Sequence, residues 1–328
     1  MHYIRPPLMN CDILKVYFLG SGRIAVPILS SLKKSPRISL AGIGTQMDRP
    51  AGRKNLVTPT PVGDWCRENG ISPDKPASVN SPEFLEKLRG MDGLDMIFVS
   101  SFGQLLKQEI LSLPRLGCIN LHASLLPAYR GASPLQAAIL NGDLKTGVCF
   151  MQMEKGLDTG PVFSTSEYQI QAGQKADELE YALGVLAASD TENVLLDIAS
   201  GLLKPVPQDN AKATYAGKIR KEHGEIRWNS PAVEIERKLR AYHPWPGVFF
   251  NLQNGGRKIR MAITELACLD ISGTPGRILK ADKKDLIVAC GDGAVSLKKV
   301  VPEGKREMSG TEFVRGCQDI EGVVLANV

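Results

Sequence analysis

The sequence predicts an α/β fold, in which a Rossmann-like, doubly wound and mostly parallel sheet domain is followed by a small OB-like β-barrel. An apolar run at residues 14–19 ends in Gly20-Ser21-Gly22 and leads into helical spacing at 24–34, which is how an α/β unit opens. A second buried run lies at 95–100. After Val248 the pattern changes to short apolar runs separated by glycines, which is typical of a small barrel.

The elements of the α/β domain follow from apolar periodicity and helix-start signals. Thr60-Pro61 and Ser81-Pro82-Glu83 each combine a cap residue with a proline suited to the first turn of a helix. Asp190 interrupts the apolar stripe of the longest helix and marks the one place where that helix could be broken. Strands are predicted at 14–19, 39–44, 95–100, 117–121, 147–153 and 161–168, and helices at 24–34, 60–69, 81–89, 134–140 and 176–200.

The barrel is predicted from strands joined by tight turns. Asn254-Gly255-Gly256 and Gly291-Asp292-Gly293 are hairpin signals, and an amphipathic helix at 231–241 precedes them. Strands are predicted at 248–252, 258–266, 276–281, 285–289 and 293–300. Barrels of this kind often bind nucleic acid, so this region is a candidate RNA-binding domain.

The length of 328 residues suits two domains. Residues 13–203 are assigned to the α/β domain, 204–217 to a linker with two prolines, and 218–328 to the barrel. Residues 1–12 lack the apolar segment of a secretory signal, and a disordered extension is expected there. Because the chain has no run of 18 apolar residues, no membrane span is expected. The expectation is a cytoplasmic monomer.

The charge distribution indicates the kind of binding partner, and the cysteine content indicates the redox state of the compartment. Residues 210–328 carry 20 Lys and Arg against 14 Asp and Glu, a balance of +6, whereas residues 1–209 carry 20 against 21, a balance of −1. A positive excess attracts a polyanion such as RNA, although a generic basic surface has the same composition. The seven cysteines include no C-x-x-C pair. This favours a reducing compartment, no disulfides and no zinc site.

A candidate catalytic centre lies where the strand at 117–121 runs out into a loop. Asn120 and His122 are two residues apart and therefore face the same side of a strand. An amide can donate to a developing oxyanion and an imidazole can move a proton, which is the chemistry of acyl transfer. Asp158, in the next loop, could orient His122. Each residue also has a structural interpretation, His122 as a hydrogen-bonding group and Asp158 as a turn former.

Two further stretches carry weaker signals. Gly20-x-Gly22 lacks the rest of a dinucleotide fingerprint, so NAD is rejected and a tight strand-to-helix turn is the better interpretation. The segment 46–56 is a polar loop that is long for a strand-to-helix connection, and Arg49, Arg53 and Lys54 make it cationic. Such a loop is either functional or simply a solvated surface loop.

The signature of the formyltetrahydrofolate-dependent formyltransferases resembles two stretches of this chain, Asn120-x-His122-x-Ser124-Leu125-Leu126-Pro127-x-Tyr129-Arg130-Gly131-Ala132-x-Pro134 and Leu157-Asp158-Thr159-Gly160. The resemblance extends along nearly the whole chain. It implies that Asn120, His122 and Asp158 form the catalytic trio and that 10-formyltetrahydrofolate is the formyl donor. No metal is implied, because the sequence contains no cluster of metal-ligating residues. At residues 20–23 the usual Gly-Thr-Pro and acidic residue are replaced by Gly-Ser-Gly-Arg.

The resemblance also implies binding residues. The folate would lie against two segments, Phe102, Gly103, Gln104 and Leu105, and Ser124, Leu125, Leu126 and Pro127. The family usually has Tyr where Phe102 stands. The segment 48–53 is similar to a family loop that inserts beside the acceptor end of tRNA, which implies tRNA contacts from Arg49, Arg53 and Lys54, with Arg53 the most important. Lys54-Asn55-Leu56 replaces the usual Gly-Lys-Lys, so one positive charge is lost.

The activity implied is that of the tRNA-acting members of this family, which formylate the α-amino group of methionine on initiator Met-tRNA for translation initiation. Other members formylate glycinamide ribonucleotide or a sugar amine, and a related hydrolase releases the formyl group. A basic barrel and the cationic loop favour tRNA over these acceptors. The alternative from another class is a non-catalytic RNA-binding relative, which the intact trio disfavours.

Overall fold

The computed structural model describes residues 13–51, 56–254, 257–317 and 320–325. They form two compact units. The first holds residues 13–134, Leu144–Ile170 and Glu178–Gly217, and the second holds Leu135–Asp143, Gln171–Asp177 and residues 218–325. The extension predicted at residues 1–12 lies outside the described residues. The domain limits drawn from the sequence stay a prediction, because contacts define a compact unit whereas independent folding defines a domain.

Strands and helices are numbered in chain order over the described residues. The strands are β1 (Leu14–Gly20), β2 (Ile38–Gly44), β3 (Arg49–Ala51), β4 (Leu56–Thr58), β5 (Met96–Ser100), β6 (Cys118–His122), β7 (Arg130–Gly131), β8 (Lys145–Gln152), β9 (Val162–Gln169), β10 (Tyr215–Ala216), β11 (Val248–Asn254), β12 (Arg257–Leu269), β13 (Ile278–Ala281), β14 (Leu286–Ala289), β15 (Ala294–Pro302) and β16 (Met308–Ser309). The helices are α1 (Ala25–Lys34), α2 (Pro61–Glu68), α3 (Pro82–Arg89), α4 (Gln108–Leu111), α5 (Pro134–Asn141), α6 (Ala176–Ser200), α7 (Ala232–Ala241) and α8 (Gly310–Arg315).

The main sheet of the first unit has the strand order β2-β1-β5-β6-β8-β9. Strands β2, β1, β5 and β6 are parallel, and β8 and β9 are antiparallel to their neighbours. β5 is buried along its whole length, as expected of a central strand covered on both faces. The predicted doubly wound, mostly parallel sheet is confirmed, and its predicted strands lie within two residues of the observed bounds.

The strand order reverses between β1 and β5, because β2 lies on one side of β1 while β6 follows β5 on the other. In open α/β sheets, ligands bind in the crevice outside the carboxyl ends of the strands at such a point. Backbone bonds join the two loops that begin there, since the amides of Ser21 and Gly22 both donate to the carbonyl of Ser101. The loops after β5 and β6 therefore start at the edge of the sheet where a site is expected.

Helix α6 is continuous over 25 residues, so the break considered at Asp190 is not present. The Asp190 carboxylate does not compete for the helix backbone, because it accepts a 2.6 Å hydrogen bond from the Ser166 hydroxyl on β9. Leu179 and Leu183, in the same apolar stripe, are fully buried. Asp190 is thus a polar contact within the stripe that the sequence predicts.

The segment 46–56, predicted as a polar loop, contains a short hairpin. β3 pairs antiparallel with β4, with Arg49 opposite Thr58. Leu56-Val57-Thr58 has the β-branched character of a strand, a signal too short to stand out against the flanking polar residues. Residues 52–55, between the two strands, lie outside the described residues.

Residues 205–217, here called the strap, belong to the first unit and pair with its other segments at several points. Val206 forms a bridge with Val162, β10 runs parallel to β7, and the Thr214 amide donates to the Pro127 carbonyl over 3.3 Å. The sequence predicts a linker at 204–217. The structure shows this segment bonded to β9, to β7 and to the loop that follows β6.

The second unit contains an antiparallel sheet with the order β11-β12-β15-β14-β13, and β16 pairs with β15. The predicted barrel is confirmed in the form of a half-barrel, in which the strands that flank the two predicted turns, β11 and β12 and then β14 and β15, pair antiparallel. Its core includes Trp228, whose ring packs edge-on against Phe250 at 5.4 Å between centroids. Gly293, at a φ of 71°, occupies the left-handed position that the turn into β15 needs.

The helices in the described part of the chain include none with the combination of length and apolar character that a bilayer crossing requires. Cys118 and Cys149, predicted as small core residues, are fully buried. The six cysteines among the described residues are free thiols.

We expect the contact between Asp190 and Ser166 to stabilise the packing of α6 on β9. A double-mutant cycle with Asp190→Ala and Ser166→Ala should give a coupling free energy of about 1.5 kcal/mol, because the hydrogen bond is made to a charged group. Urea unfolding measures it. Asn193→Ala, at an exposed position of the same helix, is the control and should change the free energy of unfolding by less than about 0.7 kcal/mol, the range of helix propensities for ordinary residues. Additive single mutants would contradict this role.

Candidate active site

Asn120 and His122 lie near the end of a central strand. On β6, Asn120 is paired with Val99 of β5 and Met151 of β8, and His122 is paired with Cys149 of β8. Both side chains point to the same face of the sheet, since they are two residues apart. A strand bonded on both sides holds these two side chains on a rigid support.

The imidazole of His122 has an acceptor beside each ring nitrogen. Nε2 lies 2.9 Å from the Tyr129 carbonyl oxygen, and Nδ1 lies 3.6 Å from Oδ2 of Asp158. A carbonyl oxygen can only accept, so Nε2 in this orientation carries a proton and donates it. Nδ1 is then the nitrogen that can take up or release a proton. The side chains of His122 and Asp158 are only 6% and 16% exposed, so little water screens their interaction.

The carbonyl that orients His122 is placed by a turn in the loop after β6. Tyr129 has a φ of 59°, in the left-handed region that residues other than glycine seldom adopt. The Tyr129 amide donates to the Thr214 hydroxyl of the strap over 2.9 Å. The strap therefore contacts the same residue whose carbonyl fixes the imidazole.

Asp158 is fixed through its backbone and its carboxylate. Its φ is 50°, and its Oδ2 accepts a 2.8 Å hydrogen bond from the Gly131 amide. Gly131 has a φ of 120°, and a Cβ built there would lie 2.5 Å from the Ala216 carbonyl oxygen. Only glycine fits this position, so the glycine of the signature lets the strap approach and leaves an amide aimed at Asp158.

Asn120 completes the group. Its side chain is half-buried and makes no hydrogen bond to any residue in the described part of the chain, so its N–H pair is available to a bound group. The structure brings His122 and Asp158 together and puts the Asn120 amide on the same face of β6. A donor for a developing negative charge and a proton-transferring pair are what an acyl transfer needs.

The two thiols beside the trio do not take the role of nucleophile. Burial raises the pKa of Cys118 to about 12. It also raises the pKa of Cys149, where the hydrogen bond shared with the Thr165 hydroxyl and the one donated by the Leu126 amide oppose the effect. A thiol is a nucleophile only as the thiolate. At neutral pH both remain protonated, and Cys149 instead accepts the hydrogen bond from the Leu126 amide at 3.3 Å.

In the first segment predicted to bind folate, residues 102–105, mainly backbone groups are available to a ligand. The Phe102 side chain is 2% exposed and lies in the apolar core with Val79. The Gln104 side chain accepts from the Val79 amide at 2.9 Å. Gly103 and Leu105 are exposed, and a Cβ at Gly103 would meet only the Gln46 side chain, at 3.8 Å. Open space therefore lies beside the backbone here, whereas the Phe102 and Gln104 side chains have structural partners.

The second such segment is a tight turn after β6. The Ser124 hydroxyl is fully buried and donates to the Ala128 carbonyl at 2.6 Å, so its side chain closes the turn. Leu125, Leu126 and Pro127 are half-buried or buried in part, and the peptide bond between Leu126 and Pro127 is cis. All three therefore have surface to offer a ligand.

Arg49 is the one predicted tRNA contact that lies within the described residues, on β3 of the short hairpin. Arg49 is exposed on β3, and its guanidinium donates to the Gln46 side chain at 3.4 Å. The other end of the Gln46 side chain donates to the Phe102 carbonyl at 2.9 Å. Arg53 and Lys54 lie outside the described residues.

Two residues near Asp158 were not singled out from the sequence. Arg130 is only 2% exposed and donates from Nε and Nη2 to Oε1 of Gln208, at 3.1 and 2.8 Å. Nε2 of Gln208 donates to the carbonyls of Asp158 and Gly160, at 2.9 and 2.6 Å. Arg130 does have a signal in the sequence, since it is the only Lys, Arg, Asp or Glu between residues 116 and 142. Gln208 follows Pro207 in a stretch without periodicity, and nothing local marks it.

Comparison with known proteins gives two family models that match the chain. A model described as formyl transferase matches residues 14–189, and one described as formyl transferase, C-terminal domain, matches residues 218–318. Together they extend over most of both compact units.

Individual relatives match over nearly the full length. The methionyl-tRNA formyltransferase of Ectopseudomonas mendocina is 41% identical over 295 residues, which is 90% of this chain and 92% of that protein. The methionyl-tRNA formyltransferase of Acidithiobacillus ferrooxidans is 39% identical over 311 residues, 95% of this chain and 98% of that protein. The structure of WlaRD, a sugar 3N-formyl transferase, has a TM-score of 0.62 at 18% identity and covers 90% of this chain and 100% of that chain. This last likeness is evidence for the fold alone.

Gly131→Ala is expected to destabilise the protein because it combines an unfavourable φ with a clash against the strap. Gly70→Ala is the matched control, since Gly70 has a φ of 67° but no atom within 4 Å of its Cβ position. The control should lower the free energy of unfolding by about 1–2 kcal/mol. Gly131→Ala should cost about 1–3 kcal/mol more, the usual penalty of overpacking. Urea unfolding measures both, and equal costs would show that the strap does not constrain Gly131.

Proposed function

Because the chain belongs to the formyl transferase family, among the methionyl-tRNA formyltransferases, we infer that it transfers the formyl group of 10-formyltetrahydrofolate to the α-amino group of methionine on initiator Met-tRNA. The products are tetrahydrofolate and N-formylmethionyl-tRNA, the tRNA that starts translation. The observation that carries this conclusion is the identity of 39% and 41% with methionyl-tRNA formyltransferases over 90% or more of both chains.

Asn120 is proposed to stabilise the charge that develops during transfer. Attack of the methionine amine on the formyl carbon places negative charge on the formyl oxygen. The Asn120 amide has no competing hydrogen bond within the described residues, and so it can donate to that oxygen without first breaking a contact. Preorganised donors of this kind contribute strongly, because they need no reorganisation at the moment of reaction.

His122 and Asp158 are proposed to handle the protons. The attacking amine must lose a proton, and the leaving N10 of the folate must gain one. Nδ1 of His122 is the nitrogen free to exchange a proton, and Asp158, at 3.6 Å, stabilises the imidazolium or accepts the proton that the amine loses as its nitrogen bonds to the formyl carbon. A carboxylate that orients an imidazole and stabilises its charged form is an established arrangement in acyl transfer.

The folate is proposed to bind along the two segments at 102–105 and 124–127. Open space beside Gly103 suits a flat ring, and the exposed backbone there can hydrogen-bond to the ring edge. The apolar side chains of Leu125, Leu126 and Pro127 can cover its faces, as apolar side chains do in most small-molecule sites. Phe102 would contribute through its backbone, since its side chain lies in the core.

The tRNA is proposed to contact the hairpin and the basic C-terminal region. Arg49 is exposed at the base of the hairpin, and Arg53 and Lys54 follow in sequence. The excess of six positive charges after residue 209 adds a general attraction for the phosphate backbone. We further propose that the protein acts as a monomer in the cytoplasm, where initiator tRNA is charged.

Two other functions receive less support. Formylation of glycinamide ribonucleotide or a sugar amine would use the same trio but would not need a cationic hairpin or a basic barrel. A non-catalytic RNA-binding role would not need His122 and Asp158 in contact, nor a Gly131 amide directed at the carboxylate.

Acceptor choice tests the function. With 10-formyltetrahydrofolate as donor, we expect rapid formylation of initiator Met-tRNA and no comparable transfer to glycinamide ribonucleotide or to a nucleotide-linked amino sugar. Single-turnover assays with each acceptor at equal concentration measure this. Preferred transfer to either small molecule would reject the tRNA acceptor, and release of free formate in place of transfer would identify a hydrolase.

Substitution of the trio tests the mechanism. Asn120→Ala, His122→Ala and Asp158→Ala should each lower the rate of formyl transfer by at least about 10²-fold, as removal of one oxyanion donor does, while the thermal midpoint stays close to wild type. His243→Ala is the matched control, because His243 also lies beside a carboxylate, 2.9 Å from Asp177, but is not part of the trio. Wild-type turnover in any of the three variants would reject the role given to that residue.

A further inference from the structure

Gln208 uses all of its hydrogen-bonding capacity on two segments of the first unit. Its Oε1 accepts from Nε and Nη2 of Arg130, and its Nε2 donates to the carbonyls of Asp158 and Gly160. The chemistry of the partners fixes the orientation of the amide, because a guanidinium can only donate and a carbonyl can only accept. A side-chain amide is the one group of this size that can satisfy both sets at once.

The backbone of the loop that carries Asp158 is supported by the hydrogen bonds from Gln208. Residues 154–157, directly before Asp158, are exposed. Asp158 itself has a φ of 50°, in the left-handed region, which Asp adopts more readily than most residues with a Cβ but still at a cost in free energy. The carbonyl of this residue is the one that Gln208 binds. The 2.8 Å bond from the Gly131 amide is made to the carboxylate of Asp158, and so it does not hold the peptide backbone.

Arg130 provides the anchor for Gln208. It is almost fully buried, its backbone lies on β7 in register with Tyr215 of the strap, and its guanidinium also donates to the Asn210 side chain at 2.8 Å. Asn210 therefore shares with Gln208 the hydrogen bond to Arg130, but its side chain makes no hydrogen bond to the Asp158 loop among the described residues. Asn210 can therefore be used to test the contact with Arg130 by itself, whereas Gln208 also makes the contact with the Asp158 loop.

We propose that Gln208 is a positioning residue for formyl transfer, which holds the backbone of Asp158 so that its carboxylate faces Nδ1 of His122. The Asp side chain is short, so a rotation of the backbone at Asp158 moves the carboxylate directly. The inference rests on the proposed function, since it takes Asp158 as part of the trio. It adds that the strap, and not only the loops of the α/β sheet, determines the geometry of the active site.

Gln208→Glu separates the two contacts of this residue. The carboxylate can still accept from Arg130 with an added ion pair, but it cannot donate to the carbonyls of Asp158 and Gly160 and repels them. We expect kcat for formylation of Met-tRNA to fall by about 10²-fold, the cost of a misplacement of about 1 Å in a catalytic group. The KM for Met-tRNA and the thermal midpoint should stay close to wild type.

Asn210→Ala is the matched control, since it removes an Arg130 contact and leaves the loop contact intact; kcat should be unchanged. If Gln208→Glu does not fold, Gln208→Met, which keeps the length of the side chain without hydrogen bonds, replaces it and should show the same loss of kcat. A Gln208 variant that folds and retains wild-type kcat would overturn the proposal, and so would an equal loss of kcat in Asn210→Ala.

A double mutant distinguishes this inference from the proposed function. If Gln208 acts through Asp158, then adding Gln208→Glu to Asp158→Ala should lower kcat no further. An additional loss of about 10²-fold in the double mutant, as large as that expected for a displaced catalytic group, would mean that Gln208 acts on something other than Asp158, which rejects the inference. Wild-type kcat in Asp158→Ala alone would instead reject the assignment of the trio.

Discussion

The imidazole of His122 is held between the Tyr129 carbonyl and the Asp158 carboxylate, and the loops around it take the conformations that this contact requires. Tyr129 and Asp158 are both in the left-handed region, which costs conformational free energy at two residues with side chains. The rigid sheet positions Asn120 and His122, but it does not by itself position their partners. Those come from two separate loops, and each loop is contacted by the strap.

The regular elements could be predicted from the sequence because their signals are local. The periodicity of apolar residues and the Ser-Pro and Thr-Pro helix starts predict the strands and helices of the main sheet to within two residues. The sequence leaves a break in α6 open at Asp190, because the partner of this carboxylate, Ser166, lies on β9 and is 24 residues away in the chain. The hairpin of β3 and β4 was missed for a related reason, since three-residue strands carry too little pattern to be recognised.

The candidate site could be predicted in part. The resemblance identified Asn120, His122 and Asp158, and the structure shows the contact between the last two. Resemblance does not distinguish a side chain that meets a ligand from one that supports the backbone. Phe102 is a core residue, and Ser124 closes a turn. Gln208 could not be found, because its partners are 48 to 78 residues away in the chain.

The strap also bears on how this architecture can be divided or recombined. A fragment that ends at residue 203 would keep every residue of the trio and lose Gln208, Thr214 and the strand β10. Its sheet could form, but the turns at Tyr129 and Asp158 would lose their hydrogen bonds to Thr214 and Gln208. A gene fusion that exchanges the C-terminal module while preserving catalysis therefore has to join after Gly217, so that the strap is inherited together with the sheet.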